Sequence, residues 1–433
     1  MVGSLGCPHS HREGSARAAL AAASVALVVL STPGAGAQPA TADSGARPGV
    51  VSAFSYTGEL VANARGGERL GTTYAGIAGA ELTLLLLRLI GWPGASVFLF
   101  VLGTHGGGPS DLVGDVQGVS NIEAPSTVRL EEVWLQQNLL RGRLSWLVGR
   151  YDLNTEFYRL QSGALFINSS VGIGPEFGLS GVAGPSIFPN TAVGTRIDVK
   201  PSPNVVWRAA VLDGVPVDRP GDRIRLFASG DGALLVSEVA LLARPDTVGV
   251  PRQRRFRIGR GPPRPYRGKL ALGAWYYTAR FPDLVDTLAS GAPVRHRGSR
   301  GAYFIGDRTL WSARRGGATA LAAFVQLGAG DARVNQIGAY VGGGLTLTGP
   351  FPSRAHDQVG LAVAVARNGA HYERARAALG MLVADETALE LTYAAHVGSW
   401  LSVQPDVQLV IHPGGTRGPP NAVVPGLRVA LSY

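Results

Sequence analysis

Several residue types are scarce in this sequence, and each scarcity excludes a kind of protein. The 433 residues include one cysteine, Cys7, and two methionines. Because Cys7 lies in an N-terminal leader that we expect to be removed, the exported chain is predicted to have no disulfide and no thiolate metal site. No later segment contains 18 consecutive apolar residues, so the sequence predicts no transmembrane helix.

The first 37 residues have the pattern of a secretory signal peptide. Arg12 and Arg17 precede an apolar stretch, and Ala35-Gly36-Ala37 forms a small-residue cleavage site. A single anchoring helix is the alternative, but the apolar stretch is too short to span a membrane. The sequence therefore predicts a cleaved leader, a flexible segment and one exported domain, at residues 1–37, 38–50 and 51–433.

Acidic residues and lysines are also few relative to arginines. The chain has 40 basic and 30 acidic residues, and only Lys200 and Lys269 are lysines. Such a charge is common in nucleic-acid-binding proteins, but a signal peptide argues against that partner, and we expect none. Eight arginines lie in residues 244–267, against one acid. We interpret that run as a solvated loop near anionic lipid rather than as a ligand site.

The clearest structural pattern is period-two alternation near the C-terminus. Within residues 400–412, polar Gln404, Asp406 and Gln408 occupy every second position between apolar residues or proline. This pattern is typical of a strand with one apolar and one polar face. A soluble β-sandwich would alternate in the same way. A chain that ends on an aromatic residue, Tyr433, is more typical of a barrel whose outer face meets lipid.

Similar runs recur along the chain, which also contains 60 glycines and 28 prolines. Sixteen of them are bounded by turn residues and are predicted strands. Their spans are 53–64, 73–86, 96–104, 128–139, 143–151, 191–200, 203–212, 234–243, 268–279, 301–310, 318–328, 336–347, 357–366, 386–396, 400–411 and 423–433. The predicted fold is all-β, a transmembrane antiparallel β-barrel of about 16 strands with long extracellular loops folding inward.

The connections between these strands alternate between short and long. Turns after even-numbered strands are short, as at 141–142, 201–202 and 398–399. The predicted long loops are 105–127, 152–190, 213–233, 280–300 and 367–385. Outer-membrane barrels have short periplasmic turns and longer extracellular loops, whereas a sandwich has no reason to alternate. Three tryptophans, Trp92, Trp311 and Trp400, lie in or beside the predicted periplasmic turns, as an aromatic girdle requires. The arginine-rich 244–267 connection is the exception.

Polar residues on the predicted strands indicate an aqueous channel. A basic side chain at the membrane midplane costs ~2–4 kcal/mol and an acid somewhat less, so these groups must face a lumen. Sixteen strands leave a lumen too wide for side chains to fill. The longest loop, 152–190, would narrow it; its acids, bases, amides and aromatics suit a neutral polyol, and simple loop folding is an equal alternative. The predicted substrate pathway comprises Glu132, Trp134, Gln136, Arg150, Asp152, Asn154, Glu156, Tyr158, Arg159, Asn168, Gln404 and Asp406.

Ordered motifs over most of the exported chain resemble those of the carbohydrate-selective porin (OprB) family. They include Gly91-Trp-Pro-Gly94, His105-Gly-Gly-Gly-Pro-Ser110, Gly114-Asp-Val-Gln-Gly-Val-Ser-Asn-Ile-Glu-Ala124, Glu132-Val-Trp-Leu-Gln-Gln-Asn138, Gly149-Arg-Tyr-Asp-Leu-Asn-Thr-Glu-Phe-Tyr158, Phe166-Ile-Asn-Ser-Ser-Val-Gly-Ile-Gly-Pro-Glu176, Gly184-Pro-Ser-Ile-Phe-Pro189 and Ile411-His-Pro-Gly-Gly415. Each motif is weak alone, but their order over this length is specific. The resemblance implies a sixteen-stranded outer-membrane barrel that passes sugars by diffusion. It also implies that Tyr433 is read by the outer-membrane assembly machinery.

Other functions remain as alternatives at this point. An anion-selective or general porin is suggested by the arginine excess. An outer-membrane hydrolase would need a nucleophile, but no Gly-x-Ser-x-Gly motif accompanies His105-Gly-Gly-Gly108. The alternating loops oppose a secreted β-sandwich adhesin. We expect no catalytic residues, cofactor or metal; the expected partners are small sugars, outer-membrane lipid and lipopolysaccharide, the assembly machinery and a possible homotrimer.

Overall fold

The alternating runs form a closed barrel. The computed structural model describes residues 49–216, 230–243, 267–313 and 319–433. Within these residues sixteen antiparallel strands each pair with the next, and β1 pairs with β16 to close the ring. The strands are β1 Val50–Asn63, β2 Gly71–Leu85, β3 Ala95–Gly106, β4 Thr127–Leu139, β5 Leu144–Tyr151, β6 Ala192–Ser202, β7 Val205–Asp213, β8 Ala233–Ala243, β9 Gly268–Thr287, β10 Pro293–Ser312, β11 Ala320–Gly330, β12 Ile337–Thr348, β13 Gln358–Asn368, β14 Glu386–Val397, β15 Leu401–Ile411 and β16 Ala422–Ser432. The predicted fold class and all sixteen predicted strands are confirmed.

One predicted loop is wrong. Residues 280–300 were expected to form a long loop, but β9 and β10 both continue through this region and a five-residue turn, 288–292, joins them. The hairpin thereby extends beyond the nine to eleven residues that a strand needs to cross the membrane. Beyond the membrane no face has to be apolar, so arginines such as Arg280 and Arg297 occupy exposed positions. The lipid-facing alternation that identifies the other strands is therefore missing here.

The other connections divide the barrel into a short-turn end and a loop end. Residues 140–143, 203–204 and 398–400 form short turns, whereas 107–126 and 152–191 are long loops at the opposite end. By the usual orientation of these barrels the loop end is extracellular. Trp92, Trp311 and Trp400 are exposed at the short-turn end, as predicted. The exceptional 244–267 connection lies outside the described residues except for Arg267, and so does the predicted leader.

The two faces of each strand differ as the alternation predicts. On β14, Leu389 and Leu391 point outward and are 37% and 51% exposed, whereas Glu390 and Thr392 point inward and are buried. Each outward row gives the barrel an apolar surface for lipid contact, and the inward row supplies polar groups to the interior. Among the described residues, no helix is long and apolar enough to cross a membrane.

Short helices occur at the turns and inside the loops. The α-helices are α1 Leu86–Ile90, α2 Ser110–Val113, α3 Ser169–Gly172, α4 Pro175–Gly178 and α5 Ala370–Ala378, and 3-10 turns occur at Leu140–Gly142, Leu153–Thr155, Ser162–Leu165 and Pro413–Gly415. Loop 152–191 contains α3, α4 and two of the 3-10 turns. Its aromatic residues pack against the inner wall, with Phe177 stacked on Trp275 at 4.3 Å and Tyr158 against Tyr303 at 4.2 Å between ring centroids. The apolar core of this barrel therefore lies inside the ring, between the infolded loop and the wall.

Candidate constriction in the barrel

Loop 152–191 is held inside the barrel by carboxylates of the wall. Glu238 of β8 accepts a hydrogen bond from Tyr158 N at 2.9 Å, and Asp307 of β10 accepts one from Gln161 N at 2.6 Å. Glu390 of β14 accepts from the backbone N–H groups of Ile167 and Asn168, at 2.6 and 3.0 Å. An irregular buried loop cannot satisfy all of its own N–H groups. Hydrogen bonds to acidic side chains of three separate strands satisfy the remaining groups and fix the loop in place.

Wall side chains satisfy the carbonyl groups of the loop in the same way. Gln404 Nε2 of β15 donates to Leu165 O at 2.8 Å, and Gln326 Nε2 of β11 donates to Val171 O at 3.1 Å. The hydroxyl of Tyr340 of β12 donates to Ser170 O at 3.0 Å. The infolded loop is thus bound to strands around a large part of the ring, from β8 to β15.

The second infolded loop, 107–126, is anchored on the adjoining part of the wall. Glu386 of β14 accepts from the N–H groups of Val116 and Gln117, and Gln408 Nε2 of β15 donates to Val119 O at 2.7 Å. Arg428 of β16 donates to Asn121 Oδ1 at 2.8 Å and forms an ion pair with Glu59 of β1 at 3.2 Å. Two loops therefore narrow the lumen together.

A cluster of charged residues lies where loop 152–191 meets β4, β6 and β7. Glu156 of the loop binds Arg196 of β6 through both carboxylate oxygens, with N–O distances of 2.8 and 3.0 Å. Arg196 also donates to Gln136 Oε1 of β4 at 3.2 Å. Arg208 of β7 binds Asp198 at 2.6 Å and donates to the backbone oxygen of Glu156 at 3.2 Å. We call Gln136, Glu156, Arg196, Asp198 and Arg208 the charged cluster.

Accessibility differs within the charged cluster. Arg196 is 2% exposed, whereas the side chains of Glu156 and Arg208 are 12% and 19% exposed. Three cations of this part of the lumen each have a carboxylate within 4 Å: Arg196 has Glu156, Arg208 has Asp198 and Glu238, and Lys269 has Glu238. The cluster therefore presents paired charges to the lumen rather than a field of one sign.

The sequence-predicted pathway residues are placed in several different surroundings. Only Gln136 and Glu156 belong to the charged cluster. Asn168 and Asp406 are linked through Gln408, which accepts from Asn168 Nδ2 and donates to Asp406 Oδ1, both at 3.1 Å. With Gln404 they lie buried between loop and wall.

The remaining predicted residues support the loop from within or lie apart from it. Asp152 accepts from Asn154 N at 2.8 Å, and both are buried. Glu132 accepts from Trp134 Nε1 at 3.1 Å. Tyr158 is fully buried in the core, and the backbone oxygen of Arg159 accepts from Lys269 Nζ at 3.1 Å.

Arg150 lies apart from this group. It shares a face of β5 with exposed Trp146 and donates to Thr191 Oγ1 at 2.8 Å. Its inward neighbour on the strand is the buried Tyr151. The role of all twelve residues in a substrate pathway stays a prediction.

Sequence reasoning missed several residues that position the loops or form the charged cluster. They are Glu59, Asn121, Arg196, Asp198, Arg208, Glu238, Lys269, Asp307 and Arg428. A usable signal was present, because each charged member on a strand occupies a position of the inward period-two row, as Glu238 does in Leu-Val-Ser-Glu-Val-Ala. Their partners could not be read from that signal.

Comparisons with known proteins agree with this geometry. Residues 70–433 match the model of the family described as "Carbohydrate-selective porin, OprB family". Porin B of Pseudomonas aeruginosa is 24% identical over 420 residues, covering 88% of this chain and 87% of that protein. The high-pH structure of OprB from Pseudomonas putida superposes with a TM-score of 0.76 at 23% identity, covering 89% of this chain and 94% of the other. The outer membrane channel DcaP of Acinetobacter baumannii has a TM-score of 0.53 at 11% identity, covering 89% and 97%. The family match covers most of the chain, and the protein belongs to the OprB family of carbohydrate-selective porins.

Proposed function

We propose that sugars cross the outer membrane through this protein by diffusion along the part of the lumen lined by the charged cluster. The protein is an outer-membrane channel for carbohydrates, as its family membership indicates. The observation that carries the proposed route is that the Glu156 and Arg208 side chains, unlike that of Arg196, are partly exposed beside the infolded loop. A guanidinium offers several N–H donors and a carboxylate offers acceptors, so adjacent hydroxyls of a sugar can bind both.

The pairing of charges favours a neutral solute over an anion. Selectivity for anions is produced by rings of arginine or lysine that lack compensating acids. Here Arg196, Arg208 and Arg428 each have a carboxylate partner. The arginine excess of the chain therefore does not appear as unpaired positive charge among these groups. This supports the carbohydrate route over the anion-selective alternative.

The composition of loop 152–190 suggested that its aromatic residues contact the sugar, but in this proposal they do not. Phe157 and Tyr158 of the loop have no exposed area, and Trp134 is 6% exposed against Phe98. They stabilise the loop against the wall and are not available to cover the apolar face of a sugar. In the proposed route, recognition depends on hydrogen bonds from the charged cluster.

Single-channel conductance in a planar bilayer tests this route. Wild-type protein should conduct ions, and maltose or glucose should reduce the current. Glu156→Gln should weaken the sugar block about tenfold, since a hydrogen bond to a charged group contributes ~1.5 kcal/mol. The same change leaves Arg196 without its carboxylate, so the reversal potential in a salt gradient should show increased anion selectivity. Arg196→Gln should show increased cation selectivity in the same measurement.

A matched control is available outside the lumen. Arg333 binds Asp331 through two nitrogens at 2.9 and 2.7 Å at the loop end of the barrel. Arg333→Gln removes a guanidinium from an ion pair without touching the charged cluster, and sugar block and selectivity should be unchanged. Unaltered block and selectivity in both cluster variants would contradict the route. Strong anion selectivity in the wild type with no effect of sugars would favour the anion channel.

The expected partners extend this proposal. Tyr433 closes the barrel through backbone hydrogen bonds with Phe54, at 3.0 and 2.9 Å, and its side chain is 98% exposed. Recognition of this aromatic by the assembly machinery stays a prediction. Outward leucines such as Leu391 support contact with lipid and lipopolysaccharide acyl chains. A homotrimer stays a prediction.

A further inference from the structure

A group of histidine and aspartate side chains lies at the loop end of the barrel, far from the charged cluster. Its centre is Asp283, on the part of β9 that extends beyond the membrane. The Asp283 side chain has no exposed area, although it lies near the molecular surface. His296 of β10 and His371 of α5 contact its two carboxylate oxygens, at 2.7 Å from Nε2 and 3.0 Å from Nδ1. Three separate segments thus meet at one carboxylate.

The orientation of Asp283 is fixed by its hydrogen bonds. Oδ1 accepts from the backbone N–H groups of Val285 and Asp286, both at 2.8 Å, and Oδ2 faces His296. Burial alone would raise the pKa of Asp283, but these two backbone donors and the two histidines hold that pKa below its usual range. Both oxygens of Asp283 are therefore fixed in direction by these contacts.

The neighbouring groups add a further negative charge. Asp286, three residues along β9, is exposed, and its carboxylate lies beside the carboxylate of Asp283 and the imidazole of His371. One ligand atom from each of the three lies within 4.8 Å of the others. Arg333, whose carbonyl accepts from Leu284 N, directs its guanidinium to Asp331. The cluster therefore combines two carboxylates and an imidazole nitrogen in a space that suits a cation.

This donor set has a defined chemistry. Imidazole nitrogen with carboxylate oxygens is a common ligand combination for Zn²⁺, at ~2.0–2.2 Å from the metal. Two such ligands on a tetrahedral metal are ~3.4 Å apart, and His371 Nδ1 and Asp283 Oδ1 lie 3.0 Å apart, so a small side-chain shift would bring both to one metal. Ligating carboxylates are ordinarily held by outer hydrogen bonds, and His296 supplies one to Asp283. The turn before β10 leaves Asp286 accessible for metal entry.

We propose that Asp283, Asp286 and His371 form a binding site for a divalent transition metal of the Zn²⁺ type, with His296 orienting Asp283. Bound metal would link α5 to the β9–β10 hairpin on the extracellular side. His371 would bind through Nδ1 in its neutral form, and water would complete the coordination. The site is separate from the lumen, so it does not depend on the proposed sugar route.

Calorimetric titration of the purified, untagged protein in detergent with ZnCl₂ tests the site. The wild type should bind one equivalent in a saturable step that EDTA reverses. His371→Ala should abolish that step, and Asp286→Asn should weaken it at least tenfold. His296→Ala should lower the affinity by about 10- to 100-fold, as loss of an outer hydrogen bond to a ligand does.

Controls separate the site from incidental binding. His412→Ala removes a histidine of another loop and should leave the titration unchanged. Heat-modifiable mobility on a denaturing gel reports whether each variant retains its barrel. No saturable binding by folded wild type would overturn the proposal, as would binding that His371→Ala leaves intact. In either case the role of Asp283 would be structural: it would join His296 and His371 through hydrogen bonds, without a metal.

Discussion

Glu176 provides the sharpest prediction, because a carboxyl group is buried there in the infolded loop. It lies in α4 and is 1% exposed. Oε1 accepts from the hydroxyl of Tyr158 at 3.0 Å, and among the described residues Oε2 has no hydrogen-bond partner. Burial raises its pKa from 4.5 to about 7, against the opposing effect of its hydrogen bonds. The protonated form is therefore the one that fits the folded loop.

The size and sign of the effect follow from this pKa. A rise from 4.5 to about 7 corresponds to about 3 kcal/mol of differential stability between the two protonation states. A pKa that folding raises stabilises the fold fully below pH 4.5, and that contribution is lost as pH rises to about 7 and above. In Glu176→Gln the side chain stays neutral at every pH. Relative to the wild type, this variant should gain about 3 kcal/mol between pH 4.5 and pH 8.

Urea unfolding of protein reconstituted in lipid vesicles, followed by tryptophan fluorescence, measures this difference. The free energy of unfolding is compared for wild type and Glu176→Gln at pH 4.5 and pH 8. Glu373→Gln is the matched control, because Glu373 is exposed on α5 and its loss should not alter the pH dependence. An equal pH dependence in wild type and Glu176→Gln would refute the reasoning and would show that Glu176 is not buried as a neutral acid.

Two further predictions concern the loop contact and the lipid face. A Cβ added at Gly328 of β11 would overlap Oε1 of Glu176, so Gly328→Ala should displace the loop; single-channel records should show a changed conductance, and an unchanged one would contradict the packing. Leu391 is 51% exposed at the middle of β14, so Leu391→Arg should destabilise the barrel by ~2–4 kcal/mol in the vesicle assay. Thr387→Arg, on the same face near the strand end, should cost only ~0–1 kcal/mol, and equal effects at both positions would place the membrane midplane elsewhere.

The sequence by itself determined the barrel. One face of a transmembrane strand meets lipid and must be apolar, and the other meets the lumen and can be polar. Apolar and polar residues therefore alternate, and this pattern can be recognised within each strand. It gave sixteen strands, with bounds within about three residues of those observed for all but β9 and β10. The predicted spans of β9 and β10 are too short because the outer halves of these strands lie beyond the membrane. There, alternate residues no longer have to be apolar. The inward direction of Gln404 and Asp406 was predicted correctly for the same local reason.

Only the tertiary structure decided what the inward residues contact. The loop amides of Tyr158, Gln161 and Ile167 find acceptors 80, 146 and 223 positions away in the chain. No local pattern encodes such a pairing, because an irregular loop has no period and its partners depend on which strands the barrel brings opposite it. Packing therefore buried Gln404 and Asp406 beneath the loop and placed Glu156 against Arg196. The strand pattern specifies a wall with a polar inner face, and the closure of the barrel determines which of those polar groups hold the loops and which remain open to a solute.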